Sequence, residues 1–259
     1  MPSAEEGRET LSTILLIDDP RPGLWEFVDT GMADEYVPEL PGLRLEQDPI
    51  HKHKDVLSHT IAVTAQTRPE LRLRLAALLH DVGKPRTRRI DDSGVTFRHH
   101  EAVGAKMTKI RLRELDYEDD IVRDVTELVR MSGRFKGFAD GWSDSAVRRY
   151  ARDAGHLLGL LNELVRADCT TRNQRKRVEL QQHVDDLEER ITALAEEDRR
   201  SAERPLLDGD AVMARLQLES GPDVGQAMKF LLALKRSEPD LDQAGTEVRL
   251  DQWWADRSR

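Results

Sequence analysis

The feature that most restricts this chain is the segment 71–79, where Leu71, Leu73, Leu75, Leu78 and Leu79 lead directly into His80-Asp81. A run this apolar has to lie inside the protein, and an imidazole and a carboxylate at its end are costly to bury unless something binds them. The same pattern recurs further along, where an apolar segment from Leu157 ends at Asp168. His59 stands on the helical segment preceding the first run. Neutral imidazole and carboxylate together form a usual ligand set for divalent transition metals. Adjacent helical residues point about 100° apart, so His80 and Asp81 can reach one ion only where their helix stops. Gly83 is expected to supply that stop, with Lys84-Pro85 preventing continuation. A lone histidine on an apolar helix also reads as a satisfied core residue, and a terminal aspartate as a cap. The combination points to His59, His80, Asp81 and Asp168 as ligands of a divalent ion that keeps positions open for water and substrate.

The remainder of the chain reads as helix. Ser3-Ala4-Glu5-Glu6 has the spacing of a capping box and opens a helix that the breaker Asp18-Asp19-Pro20 ends. A second short helix is expected from Gly23 to Thr30, then irregular chain around Pro38 and Pro41. Helices follow from Lys52 to Ala65 and from a first turn containing Pro69. Asp91-Asp92-Ser93-Gly94 is a turn signal, and Val95-Thr96-Phe97 after it can form one strand of a short hairpin within 88–98. Further helices are expected at 101–115 and 118–131, and one between a Ser143 cap and Gly155. The segment from Leu157 to Asp168 is apolar nearly all round, as a buried central helix would be. Residues 174–200 form one long amphipathic helix whose stripe of Leu180, Val184, Leu187, Ile191 and Leu194 packs on a neighbour. The chain changes character along that helix near residue 200, and a small helical unit with a turn at Gly221-Pro222 follows Pro205. Gly221, Pro222 and Gly225 could present free amides to a phosphate or form a plain turn. The fold class is all-α.

Composition limits the setting. Charged residues make up 34% of the chain and hydrophobic residues 38%, which suits a soluble, surface-rich helical protein. No run of about 18 apolar residues occurs, so no membrane span is expected, and the N-terminus lacks the basic and apolar regions of a signal peptide. A single cysteine, Cys169, cannot pair internally and fits a reducing cytoplasm. The net charge of −9 is unevenly spread. Between Arg72 and Arg113 eleven Lys/Arg face four Asp/Glu, whereas from Val178 onward nineteen acidic residues face eleven basic ones. A polyanion would meet the middle of the chain first.

The ordered set HTIAV, LAALLHDVGKPRTRR, FRHHEAVGA and ADCTTRN resembles the HD superfamily of metal-dependent phosphohydrolases. It most resembles the HD domain of bacterial CCA-adding tRNA nucleotidyltransferases. The likeness extends upstream through SAEEGRETLSTILL and DTGMADEYVPEL, and downstream through WSDSAVRRYARDAG and LLDGDAVMARL to the C-terminal region. It implies neck- and body-like helices over 1–50, an HD domain over 51–175, and the long helix with a tail domain over 176–259. The signatures of the family's catalytic head are absent from the sequence, so the resemblance implies a truncated or split member that does not transfer nucleotides by itself, with a separately encoded head as one candidate partner. In RMSGRFKGF, Ser132 and Lys136 stand where relatives typically carry histidines, which implies one bound ion rather than two. Lys84 and His100 would stabilise phosphate charge or protonate a leaving oxygen, with Mg²⁺, Mn²⁺, Co²⁺ or Ni²⁺ as the ion.

Resemblance to a tRNA-binding body and tail also gives the basic clusters a role. Arg86, Arg88 and Arg89 begin a series that continues with Lys106, Lys109, Arg111 and Arg113. Arg148, Arg149 and Arg152 form another, and Arg172, Arg175, Lys176 and Arg177 a third. Each could track the phosphate backbone of tRNA or another RNA, or be merely a solvated charged surface. Three functions fit: a tRNA-gripping body and tail, a free-standing HD phosphohydrolase, and an RNA-binding HD scaffold without turnover.

Overall fold

The computed structural model describes residues 3–45, 55–91, 94–138, 141–171 and 173–257. Within them the structure is almost wholly helical. The chain falls into two compact units, Met1–Thr192 and Ala193–Arg259.

The first unit opens with α1 (Ala4–Leu16), where the Ser3 hydroxyl accepts from the Glu6 amide at 3.0 Å. α2 (Arg21–Asp29) starts directly after Pro20, two residues before the expected Gly23, and takes Pro22 into its first turn, where a helix has no use for the amide that proline lacks. The short α3 (Met32–Tyr36) follows. α4 (Val56–Gln66) is capped by Asp55, whose carboxylate accepts from the Ser58 amide at 2.6 Å, and the earlier part of the helix expected from Lys52 lies outside the described residues. α5 (Leu71–Leu79) is capped by Glu70, which accepts from the Arg72 and Leu73 amides. Pro69 therefore precedes the helix instead of lying in its first turn. Once capped, α5 is buried from Leu73 to Leu79 and packs against α4 and α1.

Gly83 plays a different part from the one its sequence position suggests. α5 already ends at Leu79, and Gly83 has an ordinary right-handed φ of −78°, so no left-handed terminator is needed. Pro85 does not block a helix but sits in the first turn of the short α6 (Lys84–Thr87). What Gly83 provides is space: a Cβ there would lie 2.1 Å from the His100 carbonyl oxygen and 2.7 Å from the Gly104 amide nitrogen. The backbone of α7 (His100–Glu114) is thereby brought against the segment carrying His80 and Asp81. Gly83→Ala is expected to destabilise the fold by about 1–3 kcal/mol through overpacking, read from the urea midpoint.

Between α6 and α7, strands β1 (Arg89–Asp91) and β2 (Gly94–Thr96) pair antiparallel, with Ile90 opposite Val95. Phe97 leaves the strand because its carbonyl turns to accept from His100. α8 (Asp119–Met131) lies along α7 and also packs on α5. α9 (Asp144–Ala154) runs from the Ser143 cap to Gly155 at φ +53°. α10 (Leu158–Ala167) buries Leu161, Leu164 and Val165 and touches α4 and α5. It is not buried all round. Its other face carries Glu163, bound to Arg68, and Arg166, which pairs at 2.7 Å with Asp185 and at 2.8 Å with Glu188 of α11 (Gln174–Ala202). Val184 and Leu187 of the α11 stripe are fully buried.

The buried side chain of Arg74 ties two helix ends together. Its guanidinium donates to the carbonyl of Leu15 in the last turn of α1, to those of Ile17 and Asp18 just beyond it, and to that of Thr67 beyond α4. These carbonyls have no partner within their own helices.

In the second unit, α12 (Gly209–Leu216), α13 (Pro222–Ser237) and α14 (Gln243–Arg257) enclose a core of Leu207, Val212, Ala227, Leu231, Leu234 and Leu250. Trp253 packs against that core and stacks on Phe230, with ring centroids 4.9 Å apart. Gly221 is extended, and Asp223 places a carboxylate in the first turn of α13, which opposes an anion there.

Candidate metal centre

Three helix ends and one turn meet in the first unit. His59 comes from α4, His80 and Asp81 from the turn after α5, His100 from the start of α7, and Asp168 from the residue capping α10. His59 Nε2 lies 2.9 Å from Asp168 Oδ1 and 3.7 Å from Asp81 Oδ2. His80 Nε2 lies 3.2 Å from Asp81 Oδ2 and 3.5 Å from Asp168 Oδ1. Ligand atoms of His59, His80 and Asp168 all lie within 4.8 Å of one another. Asp81 is next to this trio, but its Oδ2 accepts a 2.6 Å bond from Lys84 Nζ. Asp81 Oδ2 is thus shared between two imidazoles and an ammonium.

The tautomers follow from the neighbours. A carbonyl can only accept, so His80 Nδ1 carries a hydrogen and donates to Ala77 O at 2.8 Å. His80 Nε2 is then directed at the carboxylates, buried and without a hydrogen-bond partner. An orphaned nitrogen facing two carboxylates is what a cation site presents, so the donor set fits a divalent ion. His100 Nδ1 likewise donates to Phe97 O at 2.8 Å, which leaves its Nε2 as an acceptor 3.5 Å from Asp81 Oδ1. His59 Nδ1 is 2.9 Å from the Thr170 hydroxyl.

Burial opposes charge at His80, Asp81, Asp168 and His100, and at the first three the neighbours win. Against burial, Asp81 and Asp168 push His80 up to about 10. Burial likewise works against ionising Asp81, but His80, Lys84 and His59 hold its carboxyl below the ordinary carboxylate range. Asp168 is held well below that range by His59 and His80 despite its own burial. At His100 burial prevails and lowers the imidazole. In the metal-free protein the charged His80 stabilises the fold fully below pH 6.5, its unfolded value, and this contribution fades as pH rises towards about 10. Chelator-treated protein is therefore expected to lose stability between those limits, and His80→Gln to flatten that part of the urea-midpoint profile.

The basic positions are dispersed. Arg86, Arg88 and Arg89 are exposed on α6 and β1, and Arg175, Lys176 and Arg177 on the first turn of α11. Arg149 and Arg152 are exposed on α9, while Arg148 is half-buried with partners of its own. Arg172 lies outside the described residues. Arg111 is ion-paired with Glu39 at 2.9 Å and Glu114 at 2.7 Å, which removes it from a free basic track. The role of Thr170 was not apparent from the sequence. It lies two residues after Asp168, but only the fold brings its hydroxyl to His59.

No helix among the described residues is long and apolar enough to cross a membrane. The HD domain family model matches residues 56–203 and so covers the whole centre. The chain is 34% identical over 245 residues to the CC-adding tRNA nucleotidyltransferase of Thermus thermophilus, covering 90% of this chain and 52% of that protein. It is also 34% identical over 269 residues to the A-adding tRNA nucleotidyltransferase of Deinococcus radiodurans, covering 99% of this chain and 60% of that one. It therefore spans a little over half the length of these relatives. With the matched region enclosing every helix end that meets at the centre, the chain belongs to the HD domain family.

Proposed function

We propose that this chain binds tRNA and uses a divalent ion, held by His59, His80 and Asp168 with Asp81 beside them, to hydrolyse phosphate monoesters or 2′,3′-cyclic phosphodiesters. The observation carrying the reading is the buried, unpartnered His80 Nε2, which converges with His59 and Asp168. Bound there, Mg²⁺, Mn²⁺, Co²⁺ or Ni²⁺ would supply Lewis acidity to a phosphoryl group and to water. Thr170 orients the ligand nitrogen of His59, and Ala77 does the same for His80. Lys84 can exchange its bond to Asp81 for a phosphate oxygen, placing positive charge where negative charge develops. His100 has an acceptor Nε2 facing the centre, so it takes a proton from the attacking water and can return it to the leaving oxygen. Ser132 and Lys136, standing in place of histidines, favour a single ion.

The tRNA part of the proposal rests on the two relatives, whose names divide addition into CC and A. Exposed Arg86, Arg88, Arg89, Arg149, Arg152, Arg175, Lys176 and Arg177, together with Arg148 and Arg172, would follow the RNA backbone. Equilibrium dialysis with Mn²⁺, followed by an assay of 2′,3′-cyclic AMP hydrolysis, tests the site. Metal binding with turnover supports the proposal, metal binding without turnover supports the scaffold reading, and no metal binding refutes both the site and its chemistry. A tRNA gel shift unaffected by replacing Arg175, Lys176 and Arg177 with Ala would remove those positions.

A further inference from the structure

A cavity of about 480 Å³ in the first unit is lined by residues of α7, α8 and the turn from α9 into α10, and by none of the metal-centre residues. Its volume lies in the roughly 300–1,000 Å³ range of small-molecule pockets. Its cations come from three segments: Lys109 and Arg113 from α7, Arg123 from α8 and His156 from the turn. Lys109 and Arg113 stand four residues apart and so share one face of their helix. Four carboxylates line the cavity too, and three of them are already paired. Asp124 accepts from the Nε of both Arg72 and Arg123 at 3.1 Å, and Arg72 also holds Asp120. Glu127 accepts from Arg130 Nε at 2.7 Å, and Asp153 from Arg134 at 2.8 Å. The fourth, Asp119, stands in the first turn of α8, where the helix dipole favours a carboxylate. Lys109 and Arg113, by contrast, are exposed and have no ion-pair partner among the described residues. Arg123 meets Asp124 through Nε, which leaves its terminal nitrogens for a ligand.

We infer that this cavity binds a compact polyphosphate, with two or three linked phosphoryl groups held by Lys109, Arg113 and Arg123, at a site separate from the metal centre. Guanidinium forks match phosphate oxygens in pairs, and cations from two helices engage successive phosphoryl groups of one ligand. The charge pattern sets the ligand's size. Negative charge is favoured beside Lys109, Arg113 and Arg123, and opposed by the exposed Glu118 and Asp119 at the start of α8. A compact polyanion fits that pattern. An RNA backbone, which has to continue across the surface, does not.

The test is equilibrium dialysis of the full chain against tripolyphosphate, with the bound ligand measured as phosphate after acid hydrolysis. Metal-free buffer keeps divalent ions from bridging the ligand to the protein. One tripolyphosphate is expected to bind per chain, and orthophosphate at least about tenfold more weakly, since a single phosphoryl group cannot reach the cations of both helices. Replacing Lys109 and Arg113 together by Ala is expected to weaken tripolyphosphate binding at least about tenfold. Both side chains are exposed and alanine suits a helix, so the variant keeps its fold. Replacing Arg175, Lys176 and Arg177 by Ala, a basic cluster outside the cavity, is expected to leave binding unchanged. No binding by the unmodified chain at millimolar tripolyphosphate overturns the inference, whatever the variants do. Loss of binding in the Arg175, Lys176 and Arg177 variant, with binding kept in the Lys109 and Arg113 variant, overturns it as well. So does a single-stranded RNA that displaces tripolyphosphate and loses affinity on the Lys109 and Arg113 replacement, because those residues would then belong to an RNA track.

Discussion

Asp168→Asn is expected to weaken Mn²⁺ binding by more than about 100-fold in equilibrium dialysis, since removing even the outer partner of a metal ligand costs about 10–100-fold. Asp168 is the carboxylate closest to His59, at 2.9 Å, and its same oxygen lies 3.5 Å from His80. Asn keeps its size and one acceptor oxygen but removes the negative charge that offsets the ion. The fold should survive, because the backbone amide of residue 168 continues to close α10 by donating to Leu164. Asp81→Asn is expected to have a smaller effect, because Lys84 already offsets part of the Asp81 charge. Equal losses from the two substitutions would contradict the division drawn between the trio and its neighbour.

The second large effect is structural. Arg74→Met is expected to lower unfolding free energy by about 3–5 kcal/mol, at the level seen when one member of a buried charged network is removed. The side chain is 1% exposed, and all its hydrogen bonds go to carbonyls at the ends of α1 and α4. Methionine fills the space but leaves the carbonyls of Leu15, Asp18 and Thr67 without a donor. Arg74→Lys should recover only part of the loss, because one ammonium cannot spread across acceptors arranged for a planar fork. The urea midpoint should fall while its slope stays constant.

These two positions also show what could be read in advance. The convergence of His59, His80 and Asp168 was legible because polar residues at the ends of apolar helices violate the ordinary rule of burial and stand out singly. Arg74 was not legible. In the sequence, Arg72 and Arg74 are the same residue two positions apart among leucines. Arg72 reaches the exposed Asp120 and the buried Asp124 of α8, whereas Arg74 runs inward to two helix ends. Only the packing of α1 and α4 around α5 distinguishes them. Gly83 was read as a helix terminator because glycine commonly serves that way, yet its smallness is used against α7, a contact between segments some twenty residues apart. Helix periods were recoverable throughout because apolar spacing is local. The pairing of Thr170 with His59, 111 positions away, is not.

That separation sets an order of events in folding. His59 and Asp168 are 109 positions apart, and their hydrogen bond forms only after α4, α5 and α10 have been gathered around one core. Individual helices form in about a microsecond or less, whereas contacts between distant segments must first close long loops. In a refolding experiment, far-ultraviolet ellipticity should therefore recover before the chain can retain Mn²⁺. The ion would arrive as a late passenger, captured by a nearly finished body, and it would not act as the seed around which that body condenses.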